Sequence, residues 1–153
     1  MLCFVPDPEA VVRAIARALK PGGVFASQDY VHYEGILLSP PSEPWQRFIT
    51  IVAEAWRGQG GDTEIGLRLP TLLDKHGLTP THIAPLHRVA RPGSQLWTWP
   101  TVFIEVYGPR LVDEGRLSRA EFELLMADWK AHTADPSAFF VSPPMADIIA
   151  VKR

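Results

Sequence analysis

The stretch Leu19-Lys20-Pro21-Gly22-Gly23-Val24-Phe25 separates a run with helical spacing from a run with strand character. Lys20 suits the negative end of a helix, Pro21 stops the helix, and the two glycines let the backbone reverse without side-chain clashes. The residues from Val24 to Tyr30 then have the pattern of a buried strand. The stretch therefore predicts a helix, a tight turn and a strand.

The sequence before this turn predicts a short strand at residues 2–5 and a helix at residues 8–19. Asp7 can cap the first free amides, and Pro8 suits the first helical position. Apolar residues recur at helical spacing after it, at Val11, Val12, Ile15, Ala16 and Leu19. Two strands joined by such a helix form a βαβ unit, which requires a parallel pair and almost always has a right-handed crossover.

The sequence after the turn alternates between helical and strand patterns. Ser118 and Glu121 have the spacing of a capping box, which predicts a helix that begins there. The predicted elements are an amphipathic helix at 42–59, a short helix at 69–76 with Pro70 near its start, a strand at 81–89, a helix from about Pro100, the capped helix, and two late strands at 138–141 and 145–151.

Composition excludes several classes of protein. The chain has 153 residues, a net charge of −2 and 46% hydrophobic residues, which suits one soluble domain without a basic stripe for nucleic acid. The single cysteine, Cys3, excludes a disulfide framework and indicates a cytoplasmic setting, and no apolar segment has the roughly 20 residues that span a bilayer. The histidines lack ligand spacing, so no metal site is expected.

Residues 4–30, FVPDPEAVVRAIARALKPGGVFASQDY, resemble the middle of class I S-adenosylmethionine-dependent methyltransferases, where this segment is the fourth strand, a helix, the turn and the fifth strand. The helix LPTLLDKHGLTP before a late strand, and a terminal strand with basic residues, are also common there. The resemblance implies an α/β fold: a partial Rossmann-like methyltransferase sheet with a helical lid-like insertion and a late antiparallel strand pair. Residues 1–153 would be one domain, with helical insertions at 30–60 and 96–134.

The cofactor site of that family rests on a Gly-rich loop after the first strand and an acidic residue after the second. Gly58-Gln59-Gly60-Gly61 ends a predicted helix instead of linking a strand to a helix N-terminus, so it is interpreted as a helix stop. The resemblance implies S-adenosylmethionine as cofactor, with its main binding loop supplied by an N-terminal part outside this chain.

Ligands of open parallel α/β sheets bind beyond the carboxyl ends of the strands. By resemblance, the cofactor would lie against Cys3, Phe4, Val5 and Pro6, mainly through their backbone groups. The substrate would meet the methyl group at Gln28, Asp29 and Tyr30. A buried strand with a helix cap explains the first set equally well, and Asp29 could instead cap a loop.

His32 is the histidine nearest to that strand end and could deprotonate a hydroxyl acceptor, although a histidine in a surface loop explains it as well. Aromatic residues commonly line small-molecule pockets. The candidates for such a wall are Tyr33, Trp45, Phe48, Trp97 and Trp99. For Trp45 and Phe48, packing of the helix at 42–59 is the alternative explanation.

Two functional hypotheses follow. The first is methyl transfer to a small molecule, completed by an N-terminal cofactor-binding part; the second is a non-catalytic ligand-binding or oligomerisation module of the same fold. Without a first strand beside it, the predicted strand Leu2-Cys3-Phe4-Val5 would expose an unpaired apolar edge. We therefore expect a homo-oligomer or a complementary N-terminal chain at this edge, and no nucleic-acid or membrane partner.

Overall fold

The computed structural model describes residues 2–153, which form two compact units. Unit 1 comprises residues up to 33, residues 56–87 and residues 143–153. Unit 2 comprises residues 34–55 and 88–142. Most of the two predicted helical insertions therefore falls in unit 2.

The chain contains five helices and six strands within the described residues. The helices are α1 (Pro8–Ala18), α2 (Glu43–Gly58), α3 (Ile65–Lys75), α4 (Thr98–Asp113) and α5 (Arg119–Ala134). The strands are β1 (Val24–Tyr30), β2 (Leu37–Ser39), β3 (Leu78–Leu86), β4 (Val89–Ala90), β5 (Phe139–Val141) and β6 (Met145–Lys152). Short 3₁₀ turns lie at Tyr33–Gly35 and Gln95–Trp97.

The helix, turn and strand predicted around the opening stretch are confirmed. Asp7 accepts a hydrogen bond from the amide of Ala10 at 2.9 Å and so caps α1. Gly22 has a φ of 79°, a conformation that glycine adopts without strain, and its amide donates to the Lys152 carbonyl at 2.9 Å. The turn therefore both ends α1 and holds the beginning of β1 against the end of β6.

Unit 1 is built on a three-stranded sheet of order β1-β6-β3. The central strand β6 is antiparallel to both neighbours, so β1 and β3 run parallel to each other. Phe25 and Asp29 of β1 are opposite Ala150 and Ala146, and all four are buried on one face. Helix α3 lies against the sheet, and α1 contacts α3.

The predicted strand at residues 2–5 is absent: this segment is a turn, so the parallel βαβ unit is wrong. The amide of Val5 donates to the Leu2 carbonyl at 3.2 Å, and the Cys3 carbonyl accepts from Asp62 at 2.9 Å. A strand needs a ladder partner, but β1 pairs with β6, and the amides of Leu2 and Cys3 donate to the Asp29 side chain.

Helix α3 begins at Ile65, four residues earlier than the predicted start, and contains Pro70 in its interior. Proline lacks an amide, so it removes one intrahelical hydrogen bond. The spacing of Ile65, Leu69 and Leu73, all fully buried, places three apolar side chains on one helix face. The burial of these three side chains outweighs the hydrogen bond that Pro70 removes. The helix therefore continues through Pro70, and taking Pro70 as a sign of the helix start placed that start too late.

Unit 2 contains a second sheet of order β2-β5-β4, with every pair antiparallel. Leu38, Phe140 and Ala90 are opposite one another across its buried face. The two late strands were predicted as an antiparallel pair, but β5 and β6 lie in different sheets and do not pair. β5 pairs with β2 and β4, and β6 pairs with β1 and β3. Pairing therefore follows the position of the strands in space and not their closeness in sequence.

The core of unit 2 is aromatic. Trp129 of α5 stacks between Trp45 and Trp97, with ring centroids 5.4 Å and 4.6 Å away. Phe48 of α2 packs against Phe103 at 5.7 Å. The predicted capping box is confirmed at the start of α5, where Ser118 and Glu121 bond reciprocally.

Candidate functional site

The carboxyl end of β1 holds a fully buried acid, Asp29, in unit 1. Its Oδ1 accepts from the amide of Leu2 at 2.6 Å and from the amide of Cys3 at 3.2 Å. Its Oδ2 accepts from the hydroxyl of Ser27. The Asp29 carboxyl group is shielded from water, and these three hydrogen bonds replace the ones that water would form with it.

The alternation of β1 explains why Asp29 is buried. Side chains two residues apart share a sheet face, so Phe25, Ser27 and Asp29 point in the same direction, and Phe25 and Asp29 are buried there. Gln28 points to the opposite face and is exposed. The structure therefore brings Asp29 to the Leu2–Cys3 segment and leaves Gln28 away from it.

Aromatic rings pack beside this acid in unit 1. The ring of Tyr30 lies 5.1 Å from Tyr33 and 6.3 Å from Trp56, and Tyr33 lies 4.6 Å from Trp56. Phe4 packs edge-on against Trp56 at 4.8 Å and is 50% exposed. Of the predicted aromatic wall, Tyr33 lies in this cluster and is buried next to Tyr30. Phe4, which was predicted as a cofactor contact, presents its aromatic ring to solvent.

Burial changes the acidity of two groups here. Burial, and secondly the proximity of Asp29, raise the pKa of the Cys3 thiol from 9.0 to about 12. Burial also raises the pKa of the Tyr30 hydroxyl, with smaller contributions from Cys3 and Asp29. Both groups are therefore protonated at neutral pH, and neither is a base or a nucleophile in the folded chain.

We expect native Cys3 to react with Ellman's reagent at pH 8 at least about 100-fold more slowly than in urea, because only the thiolate reacts. The chain has one cysteine, so the absorbance change reports Cys3 alone. Since the folded pKa exceeds the unfolded one, the stabilisation linked to this thiol is complete below about pH 9 and is lost as pH rises towards 12. Comparable rates in the folded and unfolded protein would contradict the buried position.

His32 follows β1 and pairs with an acid that the sequence interpretation missed. Its Nδ1 lies 3.1 Å from Oε1 of Glu64, and both side chains are about half exposed, at 53% and 52%. Asp62 and Glu64 precede α3, but no local pattern links them to His32 because 32 residues separate the pair. The pair leaves Nε2 of His32 directed away from the carboxyl group.

The glycine-rich segment after α2 also belongs to this site. A Cβ on Gly61 would lie 2.7 Å from the Cys3 carbonyl, and one on Gly60 would lie 3.3 Å from Pro6. Thr63 is buried, and its carbonyl accepts from the Tyr33 amide at 3.3 Å. Glycine is needed here for close backbone approach to the Cys3–Pro6 segment, a role that the helix-stop interpretation did not include.

The remaining predicted residues are placed as follows. Val5 is half-buried and Pro6 is exposed, both next to the turn that Asp29 holds. Trp97 and Trp99 belong to unit 2. Trp97 is buried, and its indole N–H donates to the Thr133 hydroxyl at 3.1 Å, whereas Trp99 is 40% exposed and stacks on Phe103 at 6.2 Å.

Residues 2–153 contain no group of three or more His, Cys, Asp and Glu side chains that could hold a metal ion. In the same part of the chain, every helix is too short or too polar to cross a membrane.

No protein-family model matches the chain, and no curated protein matches it. Among solved structures it is similar to phosphoethanolamine N-methyltransferase 2 of Haemonchus contortus in complex with phosphomonomethylethanolamine and S-adenosylhomocysteine, at 19% identity and a TM-score of 0.43. It is also similar to the complex of that enzyme with S-adenosyl-L-methionine, at 17% identity and a TM-score of 0.38. Each match covers 99% of this chain and 31% of the other, so the chain spans about a third of those structures.

Proposed function

We propose that the chain is part of an S-adenosylmethionine-dependent methyltransferase that methylates a small molecule, with the Gly-rich cofactor loop supplied by another segment. One observation carries the proposal: Asp29, at the carboxyl end of β1, accepts from the amides of Leu2 and Cys3. This contact joins the segment that resembles the family's cofactor wall to the strand end that resembles its substrate site.

The amide and the carbonyl of Cys3 already form hydrogen bonds within the chain, so the backbone of Cys3 is not free to bind a cofactor. The cofactor would instead contact the side chains of the residues that follow Cys3. These residues are Phe4, Val5 and Pro6, which are all at least partly exposed. The half-exposed Phe4 ring suits stacking on a purine. S-adenosylmethionine, when bound, supplies a methyl group on a reactive sulfonium. The chain would then mainly position the acceptor and exclude water.

His32 is the candidate general base of this proposal. It lies two residues after β1, and an exposed imidazole with Nε2 free can accept a proton from a hydroxyl or ammonium acceptor. The carboxyl of Glu64 at Nδ1 would hold the ring in a fixed orientation. Cys3 and Tyr30 are excluded as bases, since their pKa values are raised.

A second function, a ligand-binding module without methyl transfer, is favoured by the same hydrogen bonds of Cys3. The backbone groups that would contact a cofactor are used by Asp29 and Asp62 instead. A partner chain would contact this segment at Phe4, because Leu2 and Cys3 are buried. That partner would be either a second copy of this chain or an N-terminal chain.

Calorimetric titration of the chain with S-adenosylmethionine and S-adenosylhomocysteine tests whether the chain binds the cofactor unaided. We expect weak binding of both ligands, reduced several-fold in Phe4→Ala and unchanged in Val106→Ala, an exposed control in unit 2. Sedimentation velocity on the same samples tests for the partner copy. No heat at millimolar ligand would exclude methyl transfer by this chain alone, and would leave two functions: methyl transfer completed by another segment, and the non-catalytic module.

A further inference from the structure

Unit 2 contains an open groove of about 680 Å³ that the proposed methyl-transfer site does not use. It is lined by Arg88, Val89, Ser94, Gln95, Leu96 and Trp99. Ligand sites have volumes of roughly 300–1,000 Å³, apolar walls and a few convergent polar groups. We propose that this Arg88 groove binds a small anion that carries a flat apolar group, such as an aromatic carboxylate.

The charge of the groove is uncompensated. Arg88 is its one ionisable lining residue, and the Arg88 side chain forms no hydrogen bond or ion pair with residues 2–153. Its backbone is held in place, because its amide donates to the Ser142 hydroxyl at 2.9 Å and its carbonyl accepts from the Ser142 amide at 2.8 Å. A guanidinium on a fixed backbone, without an acid beside it, suits a carboxylate bound through two parallel hydrogen bonds.

The neighbouring polar groups favour an acceptor ligand. The Gln95 side-chain amide has no partner among the described residues, so it offers a second donor near Arg88. The Ser94 hydroxyl already donates its hydrogen to the Arg91 carbonyl at 2.7 Å. The groove therefore presents the donors of Arg88 and Gln95 and contains no carboxylate, so its charge favours anionic oxygens over cations.

The apolar walls define the other part of the ligand. Trp99 is 40% exposed and is supported from behind by Phe103 at 6.2 Å and Phe140 at 5.9 Å. Val89, at 64% exposure, is the most open apolar side chain of the lining. An exposed indole that is fixed by packing is a platform for a flat ring. The sequence predicted Trp99 as a pocket wall, but it gave no reason to pair it with Arg88.

The test measures binding alone, so its outcome is independent of methyl transfer. The probes are 2-naphthoate, its neutral counterpart 2-naphthamide, and inorganic phosphate, each titrated into ¹⁵N-labelled protein. We expect 2-naphthoate to shift the Trp99 indole and Gln95 amide resonances, and to bind more tightly than either 2-naphthamide or phosphate. Arg88→Gln should weaken 2-naphthoate binding by about tenfold or more, the size of a lost charged hydrogen bond.

Arg13→Gln is the matched control, because Arg13 is an exposed residue of α1 in unit 1 and has no partner within residues 2–153. It removes the same charge and should leave 2-naphthoate binding unchanged. Trp99→Leu should weaken 2-naphthoate and 2-naphthamide alike, whereas Arg88→Gln should affect the anion only. Equal 2-naphthoate affinity in Arg88→Gln and Arg13→Gln, or shifts confined to residues outside the groove, would overturn the proposal.

Discussion

Replacing Asp29 by alanine is expected to lower the free energy of unfolding by about 3–5 kcal/mol, because buried amides left without an acceptor cost about 1–3 kcal/mol each. The amides concerned are those of Leu2 and Cys3, and the Ser27 hydroxyl loses its acceptor as well. Urea unfolding measures the loss. Hydrogen exchange of the backbone amides shows where the structure is loosened. The Leu2 and Cys3 amides should exchange much faster, while the amides of β6 stay protected.

Asp29→Asn is the conservative variant, because its side-chain oxygen can still accept from both amides. It should lose only about 1 kcal/mol, the usual size of one hydrogen bond. Gln28→Ala changes the exposed neighbour on the opposite sheet face and should stay within about 0.5 kcal/mol of the parent chain. If Asp29→Ala were as stable as Gln28→Ala, the acid would not anchor the Leu2–Cys3 turn.

Replacing Trp129 by alanine should destabilise unit 2 by about 3–5 kcal/mol, the usual cost of removing a buried tryptophan. Trp129 is 4% exposed and lies between Trp45 and Trp97. Its indole N–H donates to the Thr101 hydroxyl at 3.0 Å. Near-ultraviolet circular dichroism follows the transition, because stacked indoles give a strong signal that the variant should lose.

Trp129→Phe separates stacking from hydrogen bonding. It keeps an aromatic ring between Trp45 and Trp97 but removes the donor to Thr101, so it should cost about 1–3 kcal/mol. Val106→Ala, at a position 70% exposed on α4, should leave stability almost unchanged. A Trp129→Ala chain with native ellipticity and an unshifted transition would show that the stack contributes little to unit 2.

The candidate site could be predicted only in part. The sequence predicted that Gln28, Asp29 and Tyr30 end an apolar strand, and β1 does end at Tyr30. The hydrogen bond from the Cys3 amide to Asp29 was not predicted. Glu64 and the glycines at 60 and 61 were missed as site residues, since they approach through contacts between distant segments. Whether Gln28 or Asp29 is buried depends on which face of β1 packs against the core, and the pairing of β1 with β6 sets that face.

The sequence by itself determined the elements whose signals are local. The Asp7 cap and the Pro21-Gly22-Gly23 turn define α1 and the start of β1, and the Ser118–Glu121 box starts α5. These signals act through hydrogen bonds and backbone angles within a few residues, so they need no knowledge of the rest of the chain.

Only the tertiary structure decided that residues 2–5 form a turn, that α3 continues through Pro70, and that β5 and β6 join different sheets. A short apolar run becomes a strand only where another strand is available to pair with it, and a helix tolerates proline only where the burial of its apolar face outweighs the missing hydrogen bond. Both conditions depend on residues far away in sequence, and no local pattern contains them.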